Sequence, residues 1–180
     1  MNFKKILSFM LALSVCAVLL CSCNKNTDEV PEGMQLVSSD YINCKFFVPD
    51  DWTPETTTGV LVAKASDNSN VSIQKMTPSG SYSSADAYFR EDYLKKLQST
   101  YAKVTLLEEE CSTKNQKFGT VGNGAVKYVY TVESDGSVYK IMQYFSVYSG
   151  YLYILTYTAQ EALFSEHLEE VTSIVTNFVY

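Results

Sequence analysis

The sequence predicts an α+β fold, a mostly antiparallel sheet covered by helices on both faces in an α/β/α sandwich. Three observations lead there. Seven short segments between Ile42 and Ala159 are rich in Val, Ile, Thr, Tyr and Phe, the residue types that suit a pleated, half-buried surface. Two other segments space their apolar residues at helical period instead. The last strand segments are apolar on both sides: Tyr151, Tyr153, Leu155 and Tyr157 alternate with Leu152 and Ile154, and Tyr139, Ile141, Phe145 and Val147 alternate with Met142 and Tyr144. A sheet of that kind requires cover on both faces.

In chain order the first element is a leader. Lys4 and Lys5 precede an apolar run from Ile6 to Leu20, shorter than the roughly 20 residues of a membrane span and suited to the core of an export signal. Leu20-Cys21-Ser22-Cys23 then sets a small residue directly before Cys23 and a branched aliphatic residue three before it, as lipoprotein processing requires. Cutting before Cys21 would put Leu19 and Leu20 where small side chains are needed, and cutting before Cys16 would leave a very short apolar run. The stretch resembles the lipobox of bacterial lipoproteins, with Cys21 at its second position as a departure. The resemblance implies a signal peptide over residues 1–22, lipid attachment at Cys23, and an exported protein held by lipid on the extracytoplasmic face of the cell membrane. An uncleaved signal anchor and an ordinary signal peptide without lipid are the competing readings.

Residues 23–33 follow as the lipidated cysteine and a flexible tether: "NKNTDEVPEG" is polar, contains Pro31 and Gly33, and has no apolar period. Removing Lys4 and Lys5 with the leader takes the 14 Lys plus Arg to 12 against 20 Asp plus Glu, a balance of −8. Anionic headgroups repel such a chain, so lipid has to do the anchoring, at about 0.8 kcal/mol per buried methylene. The same acidity argues against a nucleic-acid partner, which needs a basic footprint.

The domain proper spans 34–180, long enough to bury about 68% of its unfolded surface without disulfide staples. Its expected strands are "INCKFFVP", "GVLVAKA", "VSIQKM", "KVTLLEEECS", "GAVKYVYTVES", "VYKIMQYFSVY" and "YLYILTYTA". Asp67-Asn68-Ser69-Asn70, Asp135-Gly136 and Ser149-Gly150 supply turns between neighbours. In "SADAYFREDYLKKLQSTY" the residues Ala85, Phe89, Tyr93, Leu97 and Tyr101 recur at i+4 steps, which predicts an amphipathic helix. Thr158 and Glu161 have capping-box spacing ahead of Phe164, Leu168, Val171, Val175 and Phe178, so a closing helix is predicted from there.

Two stretches carry a family resemblance. "YINCKFFVPDDW" has an aromatic-x-aliphatic-Pro-x-x-Trp entry in Phe46, Val48, Pro49 and Trp52, and "YLYILTYTAQEALFSEHLEEVTSIVTNFVY" ends the chain as strand, Thr-Ala, helix and late Phe. Together they resemble the PsbP-like and DcrB-like domains, which share a fold with a nuclear Ran-binding import factor. The likeness spans about Tyr41 to Tyr180. It implies an accessory or assembly factor that binds partners, many bacterial members being lipoproteins, and it transfers no functional residue because no functional motif matches.

The search for chemistry favours bland readings. Ser72 and Lys75 fit S-x-x-K spacing, but that motif must open a helix, whereas on a strand the two point to opposite faces. Gly119, Gly122 and Gly124 lie between strands with no helix or Lys after them, which suits a turn better than a phosphate cradle. His167 is the only histidine, which disfavours zinc; it belongs at the edge of the last helix's buried stripe. Glu108, Glu109 and Glu110 on a strand would not converge on calcium, and Asp50 and Asp51 read as turn residues. No catalytic group, metal or cofactor is expected.

Cys44 and Cys111 remain after lipidation of Cys23. An extracytoplasmic address permits them to pair, but Cys44 alternates with Ile42, Phe46 and Val48 on a face expected to be buried, which favours free thiols. Two roles stay open. One is a non-enzymatic accessory module that binds another envelope protein, marked by an exposed apolar patch. The other is a lipoprotein holding a small molecule, glycan or peptide on a tyrosine-rich sheet, marked by a pocket lined by Tyr128, Tyr130 or Tyr153.

Overall fold

The computed structural model describes residues 29–180 except 40, 41, 58, 78–81, 83 and 121. The leader, Cys23 and most of the tether lie outside the described residues. The described residues form ten strands and three α-helices: β1 (Met34–Ser39), β2 (Ile42–Pro49), β3 (Thr53–Thr57), β4 (Val60–Lys64), β5 (Asn70–Met76), α1 (Ala85–Tyr88), α2 (Leu94–Thr100), β6 (Val104–Leu106), β7 (Ser112–Phe118), β8 (Gly122–Ser134), β9 (Ser137–Tyr148), β10 (Tyr151–Gln160) and α3 (Leu168–Asn177). A π-helical turn over Phe89–Tyr93 joins α1 to α2 as one rod.

The main sheet is antiparallel throughout, in the order β3-β4-β5-β10-β9-β8, with β6 and β7 both pairing along β8. Local turn chemistry sets its hairpins. Asp135 and Gly136 take φ of 50° and 77°, and Ser149 and Gly150 take 49° and 80°, the left-handed pairs that match the twist of the flanking strands. Because side chains alternate across the sheet, each strand feeds two cores. On one face Leu61, Ile73, Val129, Leu155 and Tyr157 pack against the β1–β2 hairpin and α3, through Phe46, Val48, Val171, Ile174 and Phe178. On the other, Tyr128, Tyr130, Phe145, Leu152 and Ile154 pack under the rod through Tyr88 and Phe89. Ser84 caps the rod, its hydroxyl accepting the Ala87 amide at 3.1 Å.

Three expectations need correction. The chain does not turn helical at Thr158: Thr158 pairs with Ile141 and Asn70, and β10 runs to Gln160, so its backbone is committed to the sheet. A 3-10 turn over Glu161–Leu163 follows and α3 starts only at Leu168. The segment "KVTLLEEECS" is not one strand. Pairing stops at Leu106, and Glu108–Glu110 form a 3-10 turn in which Glu110 meets Lys140 at 2.6 Å and Glu108 lies 3.5 Å from Arg90. Finally, β1, β3 and β7 are absent from the sequence-based scheme because "MQLVSS", "TPETT" and "STKNQKF" show no sustained alternation of large apolar residues, and "TPETT" also carries Pro54; pairing along β2, β4 and β8 holds them extended.

Candidate functional site

The site is built by the β9–β10 hairpin. Its two-residue turn leaves Tyr148 directly opposite Tyr151 and Val147 opposite Leu152. Leu152 is buried, whereas Val147 is 58% exposed, Tyr148 39% and Tyr151 41%, so the hairpin carries apolar side chains past the edge of both cores. The rings do not hang free. Tyr148 stacks on Tyr180 with centroids 4.2 Å apart, and the Tyr180 hydroxyl lies 2.5 Å from the Ser146 hydroxyl. Lys75 Nζ sits 4.0 Å from the centre of the Tyr151 ring, close enough for a cation–π contact. The result is an aromatic tip with one cation on its flank, held by contacts that fix its shape before anything binds.

The tyrosines singled out in the sequence go elsewhere. Tyr128, Tyr130 and Tyr153 are all buried, and they divide between the two cores, Tyr128 and Tyr130 under the rod and Tyr153 on the α3 face. Alternation across the sheet is the reason, so the three cannot line one platform. Phe89 stacks on Tyr128 with centroids 3.5 Å apart, and the Tyr128 hydroxyl donates to Asp86. Two surface depressions flank Val138, lined by Glu133, Asp135, Gln160 and Glu161 among others, and neither is lined by those tyrosines.

No family model matches the chain, and no curated protein does. Among solved structures, the cyanobacterial PsbP (CyanoP) of Synechocystis superposes with a TM-score of 0.56 at 18% identity, covering 89% of this chain and 99% of that one. The fold is PsbP-like. A protein of unknown function from Pseudomonas aeruginosa shares it, with a TM-score of 0.51, 16% identity, and coverage of 78% of this chain and 92% of that one.

Within the PsbP-like sandwich the remaining candidates resolve as follows. Cys44 and Cys111 are free thiols packed toward opposite faces of the sheet, so the structure does not bring them together as a disulfide. Burial pushes the Cys44 thiol up to about 12, and nearby Lys75 offsets this only in part. Cys111 Sγ donates to the Leu107 carbonyl at 3.2 Å and accepts the Val129 amide at 3.4 Å. Ser72 and Lys75 lie on opposite faces of β5, as alternation requires. Asp50 and Asp51 are exposed in the turn after β2. Gly119 is no loose turn: at φ +71° its Cα faces the Phe178 carbonyl so closely that a Cβ would lie 2.3 Å from the oxygen. Among the described residues no group of three His, Cys, Asp or Glu is placed to hold a metal ion, and no helix is long and apolar enough to cross a membrane.

One polar feature escaped the sequence. Gln143 is 2% exposed; its Oε1 accepts from the Tyr130 hydroxyl at 2.9 Å, and its Nε2 donates to Tyr93 at 2.8 Å and Thr156 at 2.9 Å. Burial, aided by the neighbouring Tyr93 and Tyr101, pushes the Tyr130 phenol far up, so the network stays neutral and every group in it has a partner. A glutamine amid apolar alternation in "YKIMQYFS" was the available signal, since such a position requires a polar partner.

Proposed function

We propose that this chain is a membrane-anchored extracytoplasmic lipoprotein whose PsbP-like domain is a non-enzymatic accessory module of the cell envelope, binding another envelope protein through the β9–β10 tip. The single observation that carries the reading is the exposure of Val147, Tyr148 and Tyr151 at one hairpin end, with the two tyrosine rings held by Tyr180 and Lys75. Exposed apolar side chains held in place suit a protein interface, where aromatic anchors contribute disproportionately. Burial of Tyr128, Tyr130 and Tyr153 disfavours the alternative of a glycan or peptide stacked on those rings. Anchoring through Cys23 is read from the lipobox-like Leu20-Cys21-Ser22-Cys23, and kinship with lipoproteins of the DcrB-like group belongs to the same proposal.

The test combines anchor and tip. Cys23→Ala should release the protein from the membrane fraction or leave the precursor uncut, while Cys21→Ala should change neither. A photo-crosslinking residue at position 147 should capture one dominant envelope protein in intact cells, and Tyr151→Ala should weaken that capture without lowering the amount of folded protein. Capture that is equally strong from a site on β3, or unaffected by the tip change, would remove the tip from consideration.

A further inference from the structure

The single histidine sits where three elements meet. His167 immediately precedes α3, and its ring meets the buried Trp52 edge-on, with centroids 5.4 Å apart at 87°. Nδ1 lies 2.5 Å from Glu170 Oε2, and Nε2 lies 3.2 Å from Oδ2 of Asp67, a hundred positions earlier in the β4–β5 turn. A neutral imidazole has one N–H and can donate to one carboxylate; only the imidazolium donates to both. The two carboxylates stand against different ring nitrogens, so they do not converge with the ring on one cation.

Asp67 also holds its own turn. It accepts the Ser69 amide at 2.8 Å and the Ser69 hydroxyl at 3.0 Å, and the Ala65 amide donates to the Ser69 carbonyl at 2.8 Å. We propose that His167 is a pH-operated latch, holding the β4–β5 turn to the start of α3 when its ring is charged and releasing the turn when the ring is neutral and keeps its one proton on Nδ1, against the nearer Glu170. The other ionisable groups nearby do not substitute for it. The Tyr157 phenol is pushed up to about 12, chiefly by burial, and donates to the Phe164 carbonyl. Glu166 is exposed and adds negative charge in the same region, and Lys140, over the Phe164 ring, is paired with Glu110.

The sign follows from both partners. Burial pulls the His167 imidazolium down, but hydrogen bonds and charge from Glu170 and Asp67 outweigh it and hold the ring above its ordinary value. That contribution is complete below the unfolded value of about 6.5 and is lost as pH rises through the folded one. For Asp67, burial raises the carboxyl, and hydrogen bonds from Ser69 and His167 outweigh it and hold it below its ordinary value. Its contribution is complete above about 3.9 and is lost as pH falls through the folded value. The latch is therefore fully closed between about pH 4 and about pH 6.5 and opens on the alkaline side.

One histidine and one tryptophan make the test unambiguous. The full chain, purified without a histidine tag in a neutral detergent, is titrated from about pH 5 to about pH 9 by proton NMR of the His167 ring, across the range where imidazole ionises. Hydrogen exchange over residues 65–69, corrected for intrinsic rate, is measured in parallel. The latch predicts a midpoint above 6.5 that Asp67→Asn and Glu170→Gln each lower, with protection of 65–69 falling several-fold through the same midpoint. Protection in His167→Gln should not vary with pH; if that variant does not fold, Asp67→Asn serves the same comparison. A midpoint at or below 6.5 overturns the proposal, and so does a raised midpoint with unchanged protection, which would mark a charged but idle histidine.

Discussion

Replacing Gly119 with Ala tests the packing of the α3 face most sharply. The new Cβ would lie 2.3 Å from the Phe178 carbonyl oxygen and 3.2 Å from its carbon, at a φ of +71°. The left-handed backbone costs an L-residue about 1–2 kcal/mol. The carbonyl must also move, and it accepts the Thr120 amide at 2.9 Å; losing that bond costs about 0.5–1.5 kcal/mol. Phe178 is wholly buried, with ring centroids 4.8 Å from Phe118 and 5.1 Å from Tyr180, so displacing it adds about 1–3 kcal/mol of overpacking. Together these come to about 2.5–6.5 kcal/mol, a large part of the stability of a typical domain. Gly136→Ala is the control: φ is +77°, but nothing lies within 4 Å, so only the backbone cost of about 1–2 kcal/mol applies. Urea unfolding of both variants, followed by Trp52 fluorescence, reads the difference. Equal losses in the two would refute the close-approach argument, because then the steric contribution would be negligible.

Gln143→Leu should cost about 2–4 kcal/mol, since it strips partners from the buried Tyr130 hydroxyl and from Tyr93 and Thr156. Adding Tyr130→Phe should recover part of that loss by removing the orphaned hydroxyl; a double variant as unstable as the sum of the singles would contradict it. Cys44, its thiol pushed up to about 12, should resist alkylation at neutral pH until urea unfolds the chain, whereas Cys111, half-buried, should react sooner. Mass spectrometry after timed labelling reads both, and rapid labelling of Cys44 in the folded protein would count against its burial. Val147→Asp should leave the unfolding free energy within about 0.5 kcal/mol of the parent, because the side chain is 58% exposed. A larger loss would mean that the tip is part of the core rather than a surface.

How much was legible in advance follows from the range of the forces involved. The β-rich segments, the amphipathic rod and the hairpin turns could be read because alternation, helical period and left-handed turn residues act within a few positions. Asp135-Gly136 and Ser149-Gly150 adopt in the structure the turn geometry that their chemistry favours. The expected capping box at Thr158 failed for the opposite reason: its spacing is local, but pairing with Ile141 and Asn70 took the backbone first.

By itself, then, the sequence determined that the chain forms a two-faced antiparallel sheet with helical cover, since that outcome needs only the periodicity of its apolar residues. Only the tertiary structure decided which tyrosines are wrapped and which are offered. Tyr128 and Tyr151 have the same intrinsic chemistry, and the rod lies over one while the other projects from a hairpin end. Only the tertiary structure, likewise, recruited β1, β3 and β7, brought Gly119 against Phe178, and placed Asp67 against His167 across a hundred positions. Gly119 and Asp67 depend on a partner distant in the chain and the three strands on the adjoining strand each pairs with, and the free energy of burial or pairing is set by that partner, not by the residue's own type.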